Sequence, residues 1–153
     1  MQSAVADYAA RIKHYMPLEI VELPDARGVA KTDVNALRTA EGEAILRQLK
    51  PDDYVVLLDD KGRQYTSPQF SDQLQRLALS STRRVVYVIG GAFGFSLDVY
   101  NRANALLSLS KMTYSHQMIR AIFLEQIYRA MTIARGEPYH HEESLLPENR
   151  RVK

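Results

Sequence analysis

The stretch Tyr54-Val55-Val56-Leu57-Leu58 is an uninterrupted apolar run that leads into Asp59-Asp60-Lys61-Gly62. A strand with one wet face alternates apolar and polar residues, whereas a strand without polar residues is covered on both faces, as in a parallel sheet between helices. Val85-Val86-Tyr87-Val88-Ile89 repeats the pattern and runs into Gly90-Gly91-Ala92-Phe93-Gly94. Between the two strands, Ser67-Pro68 reads as a cap followed by proline at the first helical position, with Phe70, Leu74 and Leu77 as the inner stripe. Strand, helix and strand in this order predict an α/β fold with a mainly parallel sheet flanked by helices.

On the N-terminal side, Val5, Tyr8, Ile12 and Tyr15 recur at helical spacing over residues 4–15, Ser3 is a cap, and Pro17 ends the helix. Residues 18–23 form a short apolar-rich run closed by Pro24, which predicts a strand. Thr32 or Asp33 then caps a second helix built on Val34, Leu37, Ala44, Ile45 and Leu49. On the C-terminal side, Ser96 caps a short helix through Val99 and Ala103, and Leu106 to Ser110 reads as a strand. A long helix is expected from about His116 to Arg135. It buries Met118, Ile119, Ile122, Phe123, Ile127, Ala130 and Met131 and is stopped by Gly136. The expected organisation is one domain over residues 1–143 and a polar, disordered tail over residues 144–153.

The 153 residues are 46% hydrophobic and 25% charged, a soluble globular composition, and a chain of this length buries a core without staples. With no cysteine, disulfides, thiolate metal sites and a cysteine nucleophile are excluded. No uncharged stretch approaches the roughly 18 apolar residues of a membrane helix. Asp7, Arg11 and Lys13 stand where a signal peptide needs an apolar core, so the expected address is the cytoplasm, without a membrane partner. Residues 1–60 hold 7 Lys/Arg against 11 Asp/Glu, a balance of −4, and residues 61–153 hold 13 against 7, a balance of +6. A basic half attracts polyanions, although solvated surfaces have the same composition.

Four constellations carry chemistry. Glycines at the carboxyl end of a strand let a ligand approach the backbone, but Gly90-Gly91-x-x-Gly94 is not the dinucleotide fingerprint, and no acidic residue ends a strand at the distance that fingerprint requires. A nucleotide-dependent oxidoreductase fails on that spacing, while a ligand loop and a tight strand-to-helix turn both remain open. The polar loop Leu109-Ser110-Lys111-Met112-Thr113-Tyr114-Ser115 precedes the N-terminus of the longest helix, where backbone N–H groups favour anions. An ordinary loop with His116 near the cap fits the same spacing. Arg120 and Arg129, nine residues apart, lie on different helix faces, and Arg129 sits within the apolar stretch Ile127-Tyr128-Arg129-Ala130-Met131, although a simple surface arginine fits the same spacing. Tyr139-His140-His141-Glu142-Glu143 suggests a metal, but adjacent histidines without further matched ligands make a poor site, so no metal is expected. A histidine beside a tyrosine can serve instead as a base near neutral pH, and a disordered tail fits the same residues. Asp59 and Asp60 read as turn residues rather than paired acids.

Val88-Ile89-Gly90-Gly91-x-x-Gly94, the run Leu109 to Arg120 (Leu-Ser-Lys-Met-Thr-Tyr-Ser-His-Gln-Met-Ile-Arg), Glu125-Gln126-Ile127-Tyr128-Arg129-Ala130 and Gly136-x-Pro138-Tyr139-His140 together closely resemble the RlmH family. These are bacterial S-adenosylmethionine-dependent methyltransferases of the SPOUT class that act on large-subunit (23S) ribosomal RNA. The similarity covers about Ala4 to Glu142, with four motifs in the same order.

The resemblance implies a trefoil knot near the C-terminus, rare among proteins, and a homodimer with each active site at the subunit interface. It implies methylation of N3 of a pseudouridine in a stem-loop of assembled ribosomes. Carried over by motif, the donor contacts are Leu58, Gly90, Leu109, Ser110, Lys111, Met112, Thr113 and Tyr114. His140, helped by Tyr139, would handle the proton, and Arg129 would stabilise negative charge or position RNA. Lys111, His116, Arg120 and Arg135 are the expected RNA contacts, with a stem-loop straddling both subunits. Family members begin with a strand and a glycine turn ahead of the first helix, roughly fifteen residues that have no counterpart here. The rival from another class is a non-catalytic SPOUT-like dimer that docks on ribosomal RNA without turnover, and the intact Gly90-Gly91, Lys111-Met112-Thr113 and Tyr139-His140 favour the enzyme.

Overall fold

Successive residues of a strand point to opposite sides of the sheet, and here both sides are dry: Val55, Val56 and Leu57 are all buried. In the computed structural model, which describes residues 2–30, 32–81 and 84–141, these residues belong to β1 (Tyr54–Gln64). It is the central strand of a parallel three-stranded sheet, flanked by β2 (Val85–Ile89) and β3 (Ala105–Ser108). Val56 joins a core with Ile12, Phe70, Leu74, Leu107, Phe123, Leu124, Ile127 and Ala130. Those residues come from α1 (Gln2–Ile12), α3 (Ser67–Leu79) and α5 (His116–Ala134) and from β3, so the three helices cover one face. Val55 and Leu57 join Ile45, Phe95 and Val99 on the other face, under α2 (Val34–Gln48) and α4 (Leu97–Arg102). The α/β expectation holds, with helices on both sides of a parallel sheet. No helix among the described residues is long and apolar enough to cross a membrane.

Local signals set most boundaries. The Asp33 side chain accepts from the Ala36 N–H at 3.0 Å and caps α2. Ser96 and Ser115 cap α4 and α5. Gly136 adopts φ +69°, a conformation glycine enters freely, and ends α5.

Met118, expected on the buried face of α5, is 45% exposed. Three further expectations are corrected. The cap of α3 is Thr66 rather than Ser67. Its hydroxyl accepts from the Gln69 N–H at 3.2 Å while the Gln69 side chain accepts from the Thr66 N–H at 2.9 Å, a reciprocal capping box that moves the start back one residue. β1 does not turn out at Asp59 but passes an irregularity between Leu58 and Arg63 and resumes beside β3, pairing Gln64 with Ser108. A Cβ at Gly62 would stand 2.6 Å from the backbone of Leu106 and Leu107, so only glycine admits this approach. Residues 18–23 form no strand and pair with neither open edge of the sheet, β2 or β3. Leu18 packs on the α1/α5 core and Leu23 on the α2/α4 core, while Ile20 and Val21 remain 48% and 53% exposed. The expected tail, residues 144–153, lies outside the described residues.

Candidate functional site

The donor residues expected from the motifs meet at the carboxyl end of the sheet. Leu58 pairs with Ile89 on one side and with Leu107 on the other. Gly90 follows Ile89 directly and Leu109 lies two residues past Leu107, so the three segments leave the sheet side by side. In open α/β sheets this edge is where ligands bind.

The glycine loop is also a turn in its own right. The Gly94 N–H donates to the Gly91 carbonyl at 3.2 Å, and the Arg38 Nε–H donates to the Phe93 carbonyl at 2.7 Å, tying the loop to α2. A Cβ on Gly90 would stand 2.7 Å from the ring of Phe95, which is buried in the α2/α4 core. The glycine therefore serves packing whatever ligand it meets.

The loop before α5 presents its side chains outward, with Lys111, Met112, Thr113 and Tyr114 exposed. Ser110 holds its shape by accepting from the Met112 N–H at 2.9 Å and, through its carbonyl, from the Ser108 hydroxyl at 3.0 Å.

A second cluster stands near the other end of α5. Arg129 donates through Nε and Nη2 to Glu125 Oε1 at 3.0 and 2.5 Å, and through Nη1 to Nδ1 of His140 at 3.0 Å. The Tyr139 hydroxyl donates to the same Glu125 oxygen at 3.1 Å, and its ring lies 4.9 Å beneath the Arg129 guanidinium. Glu125 Oε2 accepts from the Gln126 amide at 3.1 Å, and Gln126 in turn accepts from the Ser67 hydroxyl at 2.8 Å. Burial, the neighbouring Tyr8 hydroxyl and the Glu125 carboxylate all push the Tyr139 phenol well above its ordinary pKa. Tyr139 is therefore a donor at neutral pH and not a base. A guanidinium can only donate, so Nδ1 of His140 is an acceptor and the ring proton lies on Nε2.

Arg129, Tyr139 and His140 are thus brought together, as the motifs suggest. Glu125, which organises them, was missed, although Glu four residues ahead of Arg on one helix is a readable pairing signal. The expected RNA contacts do not form one patch. Lys111, His116 and Arg120 sit at the start of α5, where Arg120 pairs with Glu22 at 3.2 Å, and Arg135 caps its far end. His116 and Arg129 are separated by about 20 Å of helix at 1.5 Å per residue. Within one chain, the Arg129 cluster thus lies well along α5 from the point where the Leu109 to Ser115 loop enters the helix. No cluster of three metal-ligating side chains exists among the described residues; Glu142 and Glu143 lie outside them.

The family model described as "Predicted SPOUT methyltransferase" matches residues 1–140. A protein of Parabacteroides distasonis named "Ribosomal RNA large subunit methyltransferase H" is 51% identical over 139 residues, covering 91% of this chain and 88% of that one. A namesake from Porphyromonas gingivalis is 49% identical over 142 residues, covering 93% and 90%. One from Christiangramia forsetii is 44% identical over 141 residues, covering 92% and 90%. A match spanning nearly the whole chain, joined to a parallel sheet whose motif-bearing segments converge at its carboxyl edge, places this chain in the SPOUT methyltransferase family, within the RlmH group.

Proposed function

We propose that this protein is an S-adenosylmethionine-dependent methyltransferase acting on N3 of a pseudouridine in the large-subunit RNA of assembled ribosomes, working as a homodimer in the cytoplasm. The observation that carries the dimer is the separation along α5. If the donor occupies the edge formed by Leu58, Gly90 and Leu109 to Tyr114, a cluster about 20 Å along α5 from His116 is expected to serve the donor of a second copy rather than its own. Phe93, Leu97, Met112, Tyr114 and Met118 are exposed apolar side chains near that edge and offer a face for the second copy. A knotted path through the glycine and Leu109 loops is part of the same proposal.

The donor would supply a methyl group on a positively charged sulfur. A uracil-type N3–H is weakly acidic, so this chain must remove its proton and hold nitrogen, methyl carbon and sulfur in line. As negative charge builds on the base, Nη1 of Arg129 turns from His140 to the carbonyl oxygen that shares the charge. That frees the Nδ1 lone pair of His140, which takes the N3 proton. The electron pair left on N3 forms the N–CH3 bond as the C–S bond breaks. Glu125 keeps Arg129 in place throughout, and Tyr139 stays protonated, donating to Glu125. Lys111, His116, Arg120 and Arg135 hold phosphates, so binding weakens steeply with salt.

Transfer of labelled methyl to unmethylated ribosomes, with the product nucleoside identified by mass spectrometry, tests the reading. N3-methylpseudouridine supports it. A docking-only protein is the second reading, favoured by β2, which pairs only with β1 among the described residues. Tight ribosome binding without methyl transfer would select it.

A further inference from the structure

Away from the donor edge, the last turns of α1 and α5 enclose a cleft of about 270 Å³ lined by Arg11, His14, Tyr15, Tyr128 and Arg135. Its walls alternate cations and rings. The Arg135 guanidinium lies 4.6 Å over the Tyr15 ring, and that of Arg11 lies 5.5 Å over Tyr128 and 5.7 Å over Tyr8. Two carboxylates stand at the rim: Asp7 accepts from Arg11 at 3.4 Å, and Glu137 accepts from the Tyr15 hydroxyl at 2.7 Å. That hydrogen bond first, with burial and the Glu137 charge, pushes the Tyr15 phenol up to about 12, so the ring stays neutral. Among the described residues, no carboxylate pairs with Arg135. Tyr128 joins the cleft to the Arg129 cluster, packing edge-on to Tyr15 with centroids 6.0 Å apart and to Tyr139 at 4.8 Å.

We propose that this cleft binds a nucleotide flanking the methylated one, an inference that rests on the ribosomal RNA reading above. The base packs against Tyr15 and Tyr128, and its phosphate lies between Arg135 and Arg11. Single-stranded loops are held by this combination of ring faces, which stack on any base, and cations, which fix the phosphate. Arg11, His14 and Tyr15 come from the acidic half of the chain, so the RNA surface extends beyond the basic half. Since Tyr128 touches both sites, a nucleotide anchored here fixes how far its neighbour reaches toward Tyr139 and His140.

The test uses full-length Arg135→Gln, Tyr15→Leu and Tyr15→Phe proteins, with unmethylated ribosomes as substrate and S-adenosylmethionine saturating. Arg135→Gln and Tyr15→Leu are expected to raise KM for ribosomes about tenfold, with a smaller change in kcat, and Tyr15→Phe to behave as the wild type. The donor Kd stays at its wild-type value in all three. Arg135→Gln also lowers the slope of binding against salt by about one. Unchanged KM in both Arg135→Gln and Tyr15→Leu overturns the proposal. So does a rise in KM accompanied by dissociation of the dimer in sedimentation, which assigns the cleft to a subunit contact. A wild type that binds ribosomes without methylating them overturns only the enzymatic reading, and ribosome affinity of the same variants then decides the cleft.

Discussion

Nη1 of Arg129 stands 3.0 Å from Nδ1 of His140, and because the guanidinium can only donate, the imidazole is held with its proton on Nε2. On the proposed mechanism this arrangement would hold the lone pair that a weakly acidic N3–H requires, and the guanidinium would leave it as negative charge builds on the base. Replacing His140 by Ala is expected to lower kcat by about 100-fold or more, the usual scale for losing a positioned base. Donor affinity, read by calorimetry, should not move. Full turnover by this variant would remove His140 from the chemistry.

Glu125 is the anchor of that arrangement, accepting from Arg129 and Tyr139 on one oxygen and from Gln126 on the other. Glu125→Gln keeps the shape and removes the charge that fixes the guanidinium. We expect a loss of about 1.5–3 kcal/mol in thermal or urea unfolding, the range for hydrogen bonds to charged groups. The pH profile of kcat should shift as well, because Arg129 is no longer held against Nδ1 of His140. A variant with lower stability and an unmoved pH profile would confine Glu125 to folding.

Gly90 offers a stability prediction. Alanine there would bring its Cβ to 2.7 Å from the Phe95 ring, and the neighbours must shift. Gly90→Ala should cost about 1–3 kcal/mol, the scale of overpacking, measured by denaturant unfolding. Loss of donor binding in a bulkier Gly90 variant is interpretable only beside that measurement.

Asp53 links the stability of the fold to acid pH. Its carboxylate is 1% exposed and takes the Arg84 guanidinium at 2.9 and 2.6 Å and the Lys50 N–H at 2.7 Å. The Arg84 hydrogen bonds, aided by the Lys50 amide and opposed by burial, hold its pKa below the ordinary carboxylate value. A carboxylate with a lower pKa folded than unfolded contributes stability in full above the unfolded value, near 4, and loses it as pH falls through the folded value. Arg84 is 38% exposed, so solvent screens the pair and the contribution is on the order of 1 kcal/mol. Asp53→Asn should be less stable at pH 7 by that amount and less sensitive to acid below pH 4. An unchanged slope of stability against pH in that range would rule the pairing out as its cause.

What the sequence made legible follows from how local each signal is. The unbroken run Tyr54 to Leu58 announced a strand covered on both faces, and Gly136 announced the end of α5, because each depends on residues within one element. Residues 18–23 have strand composition yet form no strand, since strand formation needs a neighbour as well as composition and this segment packs Leu18 and Leu23 on the two helical layers instead. The passage of β1 through Gly62 depends on the approach of β3, more than forty residues later. At the site, Arg129, Tyr139 and His140 were readable as motifs, and Glu125 could have been found from its four-residue spacing. The cleft at Tyr15 could not be read, because Tyr15 meets Glu137 across 122 residues.

Complementation between two inactive variants tests the central claim most directly. Thr113→Trp blocks the donor loop, and Arg129→Ala removes the guanidinium; each alone should be inactive on ribosomes. Mixed in equal amounts and allowed to exchange subunits, half of the dimers carry one of each, with one intact site assembled across the interface. The account predicts recovery of roughly a quarter of wild-type methyl transfer, set by twofold symmetry. No recovery in a mixture shown to contain the mixed dimer would contradict it and place donor and cluster in one chain.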